Sequence, residues 1–570
     1  MSTTREKNIN LSKAQMEKYI KNILERYCLN NTQENINPHF NNLLASKQSF
    51  ISRKNSFGHI TASAVVLDST LSKILLVHHK NLEKFIQPGG HIDETDVTFS
   101  QAAARELAEE TGFTHILPVS FSANHLDIPV DIDIHAIPEN KKKQEPEHLH
   151  FDFRYVFVLL ETHKGEICEE EIGSIVWKPL RDFEQSTPDL ARIAQKVRDL
   201  ISERQDEIFF GRMKRIFPQS KNANIVIVSH IVPDVLPFIQ TLTAIAEKVS
   251  VIPKQNSISS TVLSLIPKNI IHSLSREQLQ NEQILQKLFP SDMKNYVVDI
   301  GGYFATKEFF DFCNKEKRVV GVIEDTENGF VKYKKLGDLV TLPVFSVARS
   351  ELKHNEDDLV GYSVAYYAEM ITRKNHLLPR YLTVGIIGYG KLGKGIAKYL
   401  FNQNIKPIVC DINPIRIVEA YKDGCIVKNK EELLSSAQLI FGATGSQSIT
   451  GDEFSVIRPG CYIASVTSSE DEFGFDKLIR GTEATNEGNF VERIDYKNTH
   501  FYLINSGNAI NFIDRDGDRV GNFIRLVQGE IMQALAFLMR DTQSKGFLEV
   551  PDEDRRSVAR VFIENYALLN

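Results

Sequence analysis

From residue 223 onward the chain alternates short apolar runs with helix-length segments, and this rhythm limits its fold more than any other feature. NIVIVSH, KVSVIP, NYVVDIG and RVVGVIED are β-branched and apolar at consecutive positions. Such runs suit strands buried on both faces, which requires helices above and below a parallel sheet. A second series of the same kind starts at LTVGIIGYG near residue 382. The region before it is different. ITASAVVLD, SKILLVHH, DIDIHAI, HFDFRYVFVLL and GSIVWKPL read as strands around one helix, a mixed α+β pattern reaching about residue 182.

At about 100–200 residues per domain, 570 residues predict three to four domains. Residues 1–182 form the first, opened by a helical extension whose apolar positions Met16, Tyr19, Ile20, Ile23 and Leu24 share one stripe. Residues 183–222 read as a helical connector, because Leu190, Ile193, Val197, Leu200 and Ile201 recur at helical spacing after Pro188. Residues 223–378, completed by about 505–570, and residues 379–504 form two further α/β domains of the doubly wound, Rossmann type. No fixed-period repeat is present.

Composition excludes several classes. Hydrophobic residues make up 42% and charged residues 25%, as in ordinary globular protein, and no run is long enough to span a membrane as a helix. The first twenty residues lack the apolar core of a signal peptide, so export is not expected. The six cysteines form no CxxC pair and read as reduced thiols of a cytoplasmic protein. A net charge of −7 disfavours a nucleic-acid partner, and the one basic run, Lys141 to Lys143, reads as a solvated loop tip.

Two motifs carry chemistry. The first is Pro88-Gly89-Gly90-His91-Ile92-Asp93 followed by AARELAEETGF from Ala103. Thr98 with Gln101 three residues on predicts a capped helix over about 99–111, ended by Gly112 in the left-handed conformation. On it Glu106, Glu109 and Glu110 stand at i, i+3 and i+4, which places three carboxylates on one face. Such repulsion is relieved by a divalent cation such as Mg²⁺ or Mn²⁺, which takes one or two carboxylates and shares its other positions with phosphate oxygens.

The second motif is a buried-type strand, Leu382–Ile387, running into Gly388-Tyr389-Gly390-Lys391-Leu392-Gly393 and a helix. Glycines permit a tight turn, close approach of a pyrophosphate and close helix–strand packing, and the helix N-terminus favours phosphate charge. The next strand ends in Asp411, eighteen residues after Gly393. An acid there accepts from a ribose 2′-hydroxyl and repels a 2′-phosphate, so NAD is expected over NADP.

The first motif, with the flanks GHITASAVVLD and EHLHFDFRY, resembles the Nudix hydrolases over roughly residues 40–180. The acidic position of the family's box falls on Asp96, and eight residues separate it from Arg105, one more than the usual pattern. The resemblance implies metal-dependent cleavage of a diphosphate linked to a further moiety, often a nucleoside. It implies that Glu109 and Glu110 bind the metal, that Glu106 is a third ligand or a base, and that Arg105 holds the glutamates. His148, His150 and Asp152 alternate on one strand face; they either reach this site or form a polar outward face.

Residues 223–540 are similar to S-adenosylhomocysteine hydrolase, most clearly in VGIIGYGKLGKGIAKYL, VCDINPIR, FGATGSQSITGDEF and IRPGCYIASV. The likeness implies NAD bound by Gly388, Gly390, Lys391, Leu392, Gly393, Asp411, Thr444 and Gly445, with Lys353 and Asp357 beside a ribose. The other reading of Lys353 and Asp357 is a surface ion pair on a helix. His230 and the Glu324-Asp325 pair also match family positions, with Asp234 standing for a glutamate. Ile300, however, replaces a catalytic aspartate, Ser468 and Asp518 replace two histidines, and the family's Lys-Tyr tail has no counterpart. An isoleucine transfers no proton, so ordinary S-adenosylhomocysteine hydrolysis is not expected.

Together these readings predict two nucleotide-handling sites with small-molecule substrates, no membrane, and a homo-oligomer built through the second half. The competing expectation makes the second half a non-catalytic nucleotide sensor or assembly module.

Overall fold

A computed structural model of the protein describes residues 12–567, except 32–35, 81–82, 122–124, 140–144, 161–171, 185–186, 219–221, 467–471, 475–483, 489, 514–519 and 541–543. The basic run at 141–143 and Cys168 therefore lie outside the described residues. The other five cysteines are free thiols. Among the described residues no helix is long and apolar enough to cross a membrane. The chain divides into two compact units, Met1–Arg212 with Arg560–Asn570, and Met213–Ala559.

The first unit is built on an eight-stranded mixed sheet. Its strands are β1 (Gly58–Leu67), β2 (Lys73–His79), β3 (Lys84–Ile86), β4 (Gly89–His91), β5 (Ile116–Val119), β6 (Asp131–Ile137), β7 (His148–Leu159) and β8 (Ile172–Pro179). The path β3-β2-β1-β7-β5 is joined by β4 on β1, β6 on β7 and β8 on β2. Strand alternation gives β1 two different faces. Ile60, Ala62, Ala64 and Val66 share a core with the helices Lys13–Asn30 and Phe99–Thr111, where Met16, Ile20, Ile23 and Leu24 are buried as the stripe predicts. Val65 and Leu67, on the other face, pack with Ile193, Val197, Leu200 and Ile201.

Those last residues lie on the helix Pro188–Met213, the stretch expected to be a connector. Its apolar stripe is instead a layer of the first unit's core, since a stripe of that width is not stable facing water. The C-terminal segment also departs from expectation. Residues 560–570 join the first unit rather than completing an α/β domain: Glu564 pairs with Arg212 at 2.9 Å and the Tyr566 hydroxyl donates to Asp206 at 2.6 Å.

The second unit holds two sheets. The first is parallel throughout, in the order β10 (Lys248–Ile258), β9 (Ala223–Ile231), β11 (Lys294–Asp299), β12 (Val319–Glu324), β13 (Pro343–Ser346), β22 (Gly546–Leu548). The second runs β16 (Ile426–Val427), β15 (Ile408–Cys410), β14 (Val384–Ile387), β17 (Leu439–Gly442), β18 (Cys461–Ser465), β21 (Thr499–Ile504), followed by antiparallel β20 (Val491–Tyr496) and β19 (Ala484–Gly488). Its first six strands follow the 3-2-1-4-5-6 order of a doubly wound dinucleotide fold, with the switch point between β14 and β17. The molecule is thus multidomain, α+β and then α/β.

Candidate functional sites

The helix Phe99–Thr111 forms as its termini predict. Thr98 accepts from the Gln101 amide at 3.1 Å, and Gly112 ends it at φ 72°. The Gln101 side chain, however, accepts from the Val97 amide and not from Thr98. Ala102, Ala103 and Leu107 anchor the inner face in the core; Glu106, one turn on from Ala102 and Ala103, lies against β4, and Glu109 turns outward.

Arg105 organises this end of the site. It donates to both oxygens of Asp96 at 3.1 Å, to Glu106 and Glu109 at 3.0 Å each, and to the His91 carbonyl at 2.8 Å. The longer spacing and shorter acid of the box therefore still bring Asp96 onto the guanidinium; buried Asp96 also accepts from the Asp93 amide. Burial alone lowers the Arg105 pKa, but the bonds and charges of Asp96 and Glu106 hold it raised. Burial raises the Glu106 carboxyl against the pull of Arg105. Glu109 is 58% exposed along its side chain, and Glu110 is buried.

The Gly-Gly turn is explained by the same geometry. A Cβ on Gly90 would stand 2.6 Å from the Glu106 carboxylate, and one on Gly89 would collide with Ser63. The backbone of β4 thus leaves a cradle that the Glu106 carboxylate fills. Three carboxylate groups on adjacent turns, one of them exposed, match the oxygen-donor set of a hard divalent cation.

His148 and His150 do not face this helix. Both belong to the opposite face of the sheet, where they meet His59 and His91. Asp152, on the same face, accepts from Thr61 and Ser63 and pairs with Arg154. Of the two readings of these residues, strand alternation removes the one in which they reach the glutamates, and the burial of His148 and Asp152 removes the exposed polar face.

In the second unit the glycine loop has three glycines with three separate causes. Gly388 has φ 97°, and its Cβ would meet the Ala443 carbonyl at 2.6 Å. A Cβ on Gly393 would collide with the Gly388 carbonyl, so this glycine sets the helix against the strand. Gly390 has an ordinary backbone, and the nearest atom to its Cβ position is Arg416 at 3.5 Å. Protein packing does not require this glycine, and it leaves open the side on which a pyrophosphate would lie, as NAD binding demands.

Asp411 accepts from the Tyr389 and Asn413 amides at 2.7 Å each, and Arg416 lies 3.7 Å away. Thr444 and Gly445 carry a surprise: their amides, and the Thr444 hydroxyl, donate to the buried carboxylate of Glu472 at 2.8–3.2 Å. Sequence reading missed Glu472, which lies twenty-eight residues downstream with no spacing signal. Leu392 packs against the core cluster of this sheet.

Lys353 and Asp357 are 11% and 13% exposed along their side chains, which excludes the surface ion pair. Lys353 donates to Glu356 at 2.6 Å, and Asp357 is shared with Lys391 at 3.1 Å. The structure thus brings together a residue of the glycine loop and the pair expected beside a ribose. Burial would lower the Lys353 pKa, but Glu356, Asp357 and Asp325 more than reverse this and keep it an ammonium. Lys254, also unforeseen, is half-buried nearby, and there desolvation prevails and lowers its pKa despite Asp325 and Glu324.

The neighbouring acids are engaged with backbone. Glu324 accepts from the Gly301, Gly302 and Thr326 amides at 2.8–3.0 Å, and Asp299 from the Tyr303 and Phe304 amides and the Tyr333 hydroxyl. Asp299 therefore does not stand in for the acid that Ile300 replaces. Burial raises both carboxyls. His230 bonds Ser257 at 2.5 Å and stacks on Phe512. Asp234 accepts from Gln528 through its backbone carbonyl. Ser468 and Asp518 lie outside the described residues.

Residues 58–200 match the family model of the NUDIX domain, and residues 368–514 that of the S-adenosyl-L-homocysteine hydrolase NAD binding domain. The chain therefore joins a Nudix domain to an S-adenosyl-L-homocysteine hydrolase-type NAD-binding domain. It is 26% identical over 204 residues to an S-inosyl-L-homocysteine hydrolase of Methanococcus maripaludis, covering 35% of this chain and 49% of the relative. It is 25% identical over 289 residues to an adenosylhomocysteinase of Thermoplasma volcanium, covering 47% and 67%. The chain thus spans about half of the first relative's length and two thirds of the second's. Among solved structures, a NUDIX-family hydrolase of Clostridium perfringens covers 24% of this chain and 95% of its own, at 17% identity and a TM-score of 0.20.

Proposed function

We propose that the first unit is a metal-dependent pyrophosphohydrolase acting on a nucleoside-diphosphate-linked compound. The observation that carries this reading is the convergence of Glu106 and Glu109 on Arg105, with Glu110 on the same helix and Gly90 making room. Glu109 and Glu110 hold a divalent cation, and Glu106 is a third ligand or the base toward attacking water. Arg105, fixed by Asp96, keeps Glu106 and Glu109 from swinging apart. A bound Mg²⁺ or Mn²⁺ supplies neutralisation of diphosphate charge and polarisation of the phosphoryl group. Phosphate or nucleotide release from a panel of nucleoside diphosphate derivatives tests the reading. Glu109→Gln is expected to abolish the metal-dependent release, and undiminished activity would reject it.

The second unit, in this proposal, binds NAD and handles a nucleoside whose ribose lies near Lys353 and Asp357. Bound NAD supplies a hydride acceptor. Lys353, held as an ammonium, orients a hydroxyl by donation and does not remove its proton. The replacement of an acid by Ile300 and the engagement of the Thr444 and Gly445 amides by Glu472 favour a second reading, a nucleotide sensor or assembly module without chemistry. Denaturing the purified protein and weighing the released small molecules tests cofactor occupancy. Formation of NADH on adding nucleosides separates redox chemistry from sensing.

A further inference from the structure

We infer that His59, His148 and His150 form a binding site for a d-block divalent cation of the zinc class, separate from the acidic helix. One ring nitrogen from each of the three lies within 4.8 Å of the other two. Two hydrogen-bonded strands produce this arrangement. His148 and His150 alternate onto one face of β7, and the parallel register of β1 sets His59 directly opposite His150. A tetrahedral ion bound at about 2.0–2.1 Å holds its donors about 3.4 Å apart, so the three rings turn inward to take it.

His59 is the stronger part of the argument. It is fully buried, and neither of its ring nitrogens has a hydrogen-bond partner among the described residues. A buried imidazole normally satisfies at least one nitrogen, because an orphaned polar atom costs about 1–3 kcal/mol. A metal ion satisfies it directly. His148 is already oriented for the purpose: its Nδ1 lies 2.7 Å from the Pro146 carbonyl, which fixes the proton there and leaves Nε2 as the lone-pair donor.

The donor type agrees with the class of ion. Neutral imidazole selects zinc, copper, nickel or iron over the oxygen-seeking magnesium and calcium. The site lies across the sheet from the carboxylates: His59 shares its face with Thr61, whereas Ile60 and Ala62 face the acidic helix. Three imidazoles leave one tetrahedral position for solvent or an exogenous donor.

Cobalt titration of the metal-free, full-length protein tests this directly. One equivalent of Co²⁺ is expected to develop the intense visible absorption of four-coordinate cobalt, unlike the weak colour of carboxylate-bound octahedral ions. Glu109→Gln should keep the band, and His150→Asn should lose it with an unchanged melting temperature. Wild-type protein without the band, or a band intact in His150→Asn, would overturn the site. X-ray absorption of wild-type protein loaded with one equivalent of zinc needs no variant. An imidazole-rich first shell supports the proposal, and an oxygen-only shell refutes it.

Discussion

The two charged centres of this protein are built on opposite principles. On the acidic helix the carboxylates are gathered by one guanidinium, and one of them stays more than half exposed, so the charge is available to an incoming ion. In the second unit the acids are buried, and Asp299 and Glu324 are consumed by loop amides. The first arrangement stores unbalanced charge at a surface; the second uses charge to fix the backbone around Lys254 and Lys353. Perturbing a carboxylate should therefore cost activity in the first unit and folding in the second.

The largest expected effect sharpens that contrast. Glu324→Ala removes the acceptor of three backbone amides and the Thr326 hydroxyl, of which the Gly301 and Gly302 amides are buried and the Thr326 groups part-buried. At about 1–3 kcal/mol for each orphaned group, several kcal/mol of the second unit's stability should be lost. Calorimetry should show its transition collapse while phosphate release by the first unit persists. A transition left in place would mean that Glu324 does not organise the Gly301–Gly302 loop.

Gly90→Ala makes the complementary change. Its Cβ would stand 2.6 Å from the Glu106 carboxylate, so that carboxylate must move. Displacements of this size cost on the order of 100-fold in rate. The expected outcome is such a drop in metal-dependent release with little change in melting temperature, because the glycine's core contacts are unaffected.

A smaller effect separates the two glycines of the NAD loop. Gly390→Ala should leave the melting temperature of ligand-free protein unchanged and weaken NAD binding at least about tenfold, since the added methyl occupies the side reserved for the pyrophosphate. Gly393→Ala should lower the melting temperature, because its Cβ collides with the Gly388 carbonyl. Isothermal titration beside calorimetry distinguishes them. Equal effects on both quantities would show that Gly390 is structural.

These centres differ also in how far the sequence revealed them. Glu106, Glu109 and Glu110 are neighbours because a helix turns every 3.6 residues, a local property that spacing alone exposes. Asp411 and the glycines follow from the order strand, loop, helix, strand in the same way. The histidine cluster depends on β1 lying in register with β7, ninety residues away, and no local pattern encodes that pairing. Lys254 and Glu472 gain their surroundings in the same nonlocal manner. The helix Pro188–Met213 was visible, but its partner was not, since a stripe does not say which sheet it covers.

The last prediction concerns pH and sets two parts of the first unit against each other. His59 and His150 are lowered to about 3 by burial and the surrounding His91, His135, His148 and Arg53. Between the ordinary 6.5 and that value the unfolded chain binds more protons, so stability present above pH 6.5 is lost as pH falls. Asp127 works in the other direction. Burial raises it to about 7 against the Ser100 and Phe99 amides and Tyr155, so the folded state holds the extra proton between about pH 4 and 7. Stability from this group is full at low pH and falls as pH rises through 7. In metal-free protein the two trends oppose, each proton contributing about 1.4 kcal/mol per pH unit at most. Asp127→Asn should therefore melt higher than wild type at pH 7 and equally at pH 4, whereas His150→Gln should flatten the acid loss. Parallel melting curves for Asp127→Asn and wild type across this range would show that Asp127 is not held protonated, and the opposition between the two clusters would disappear.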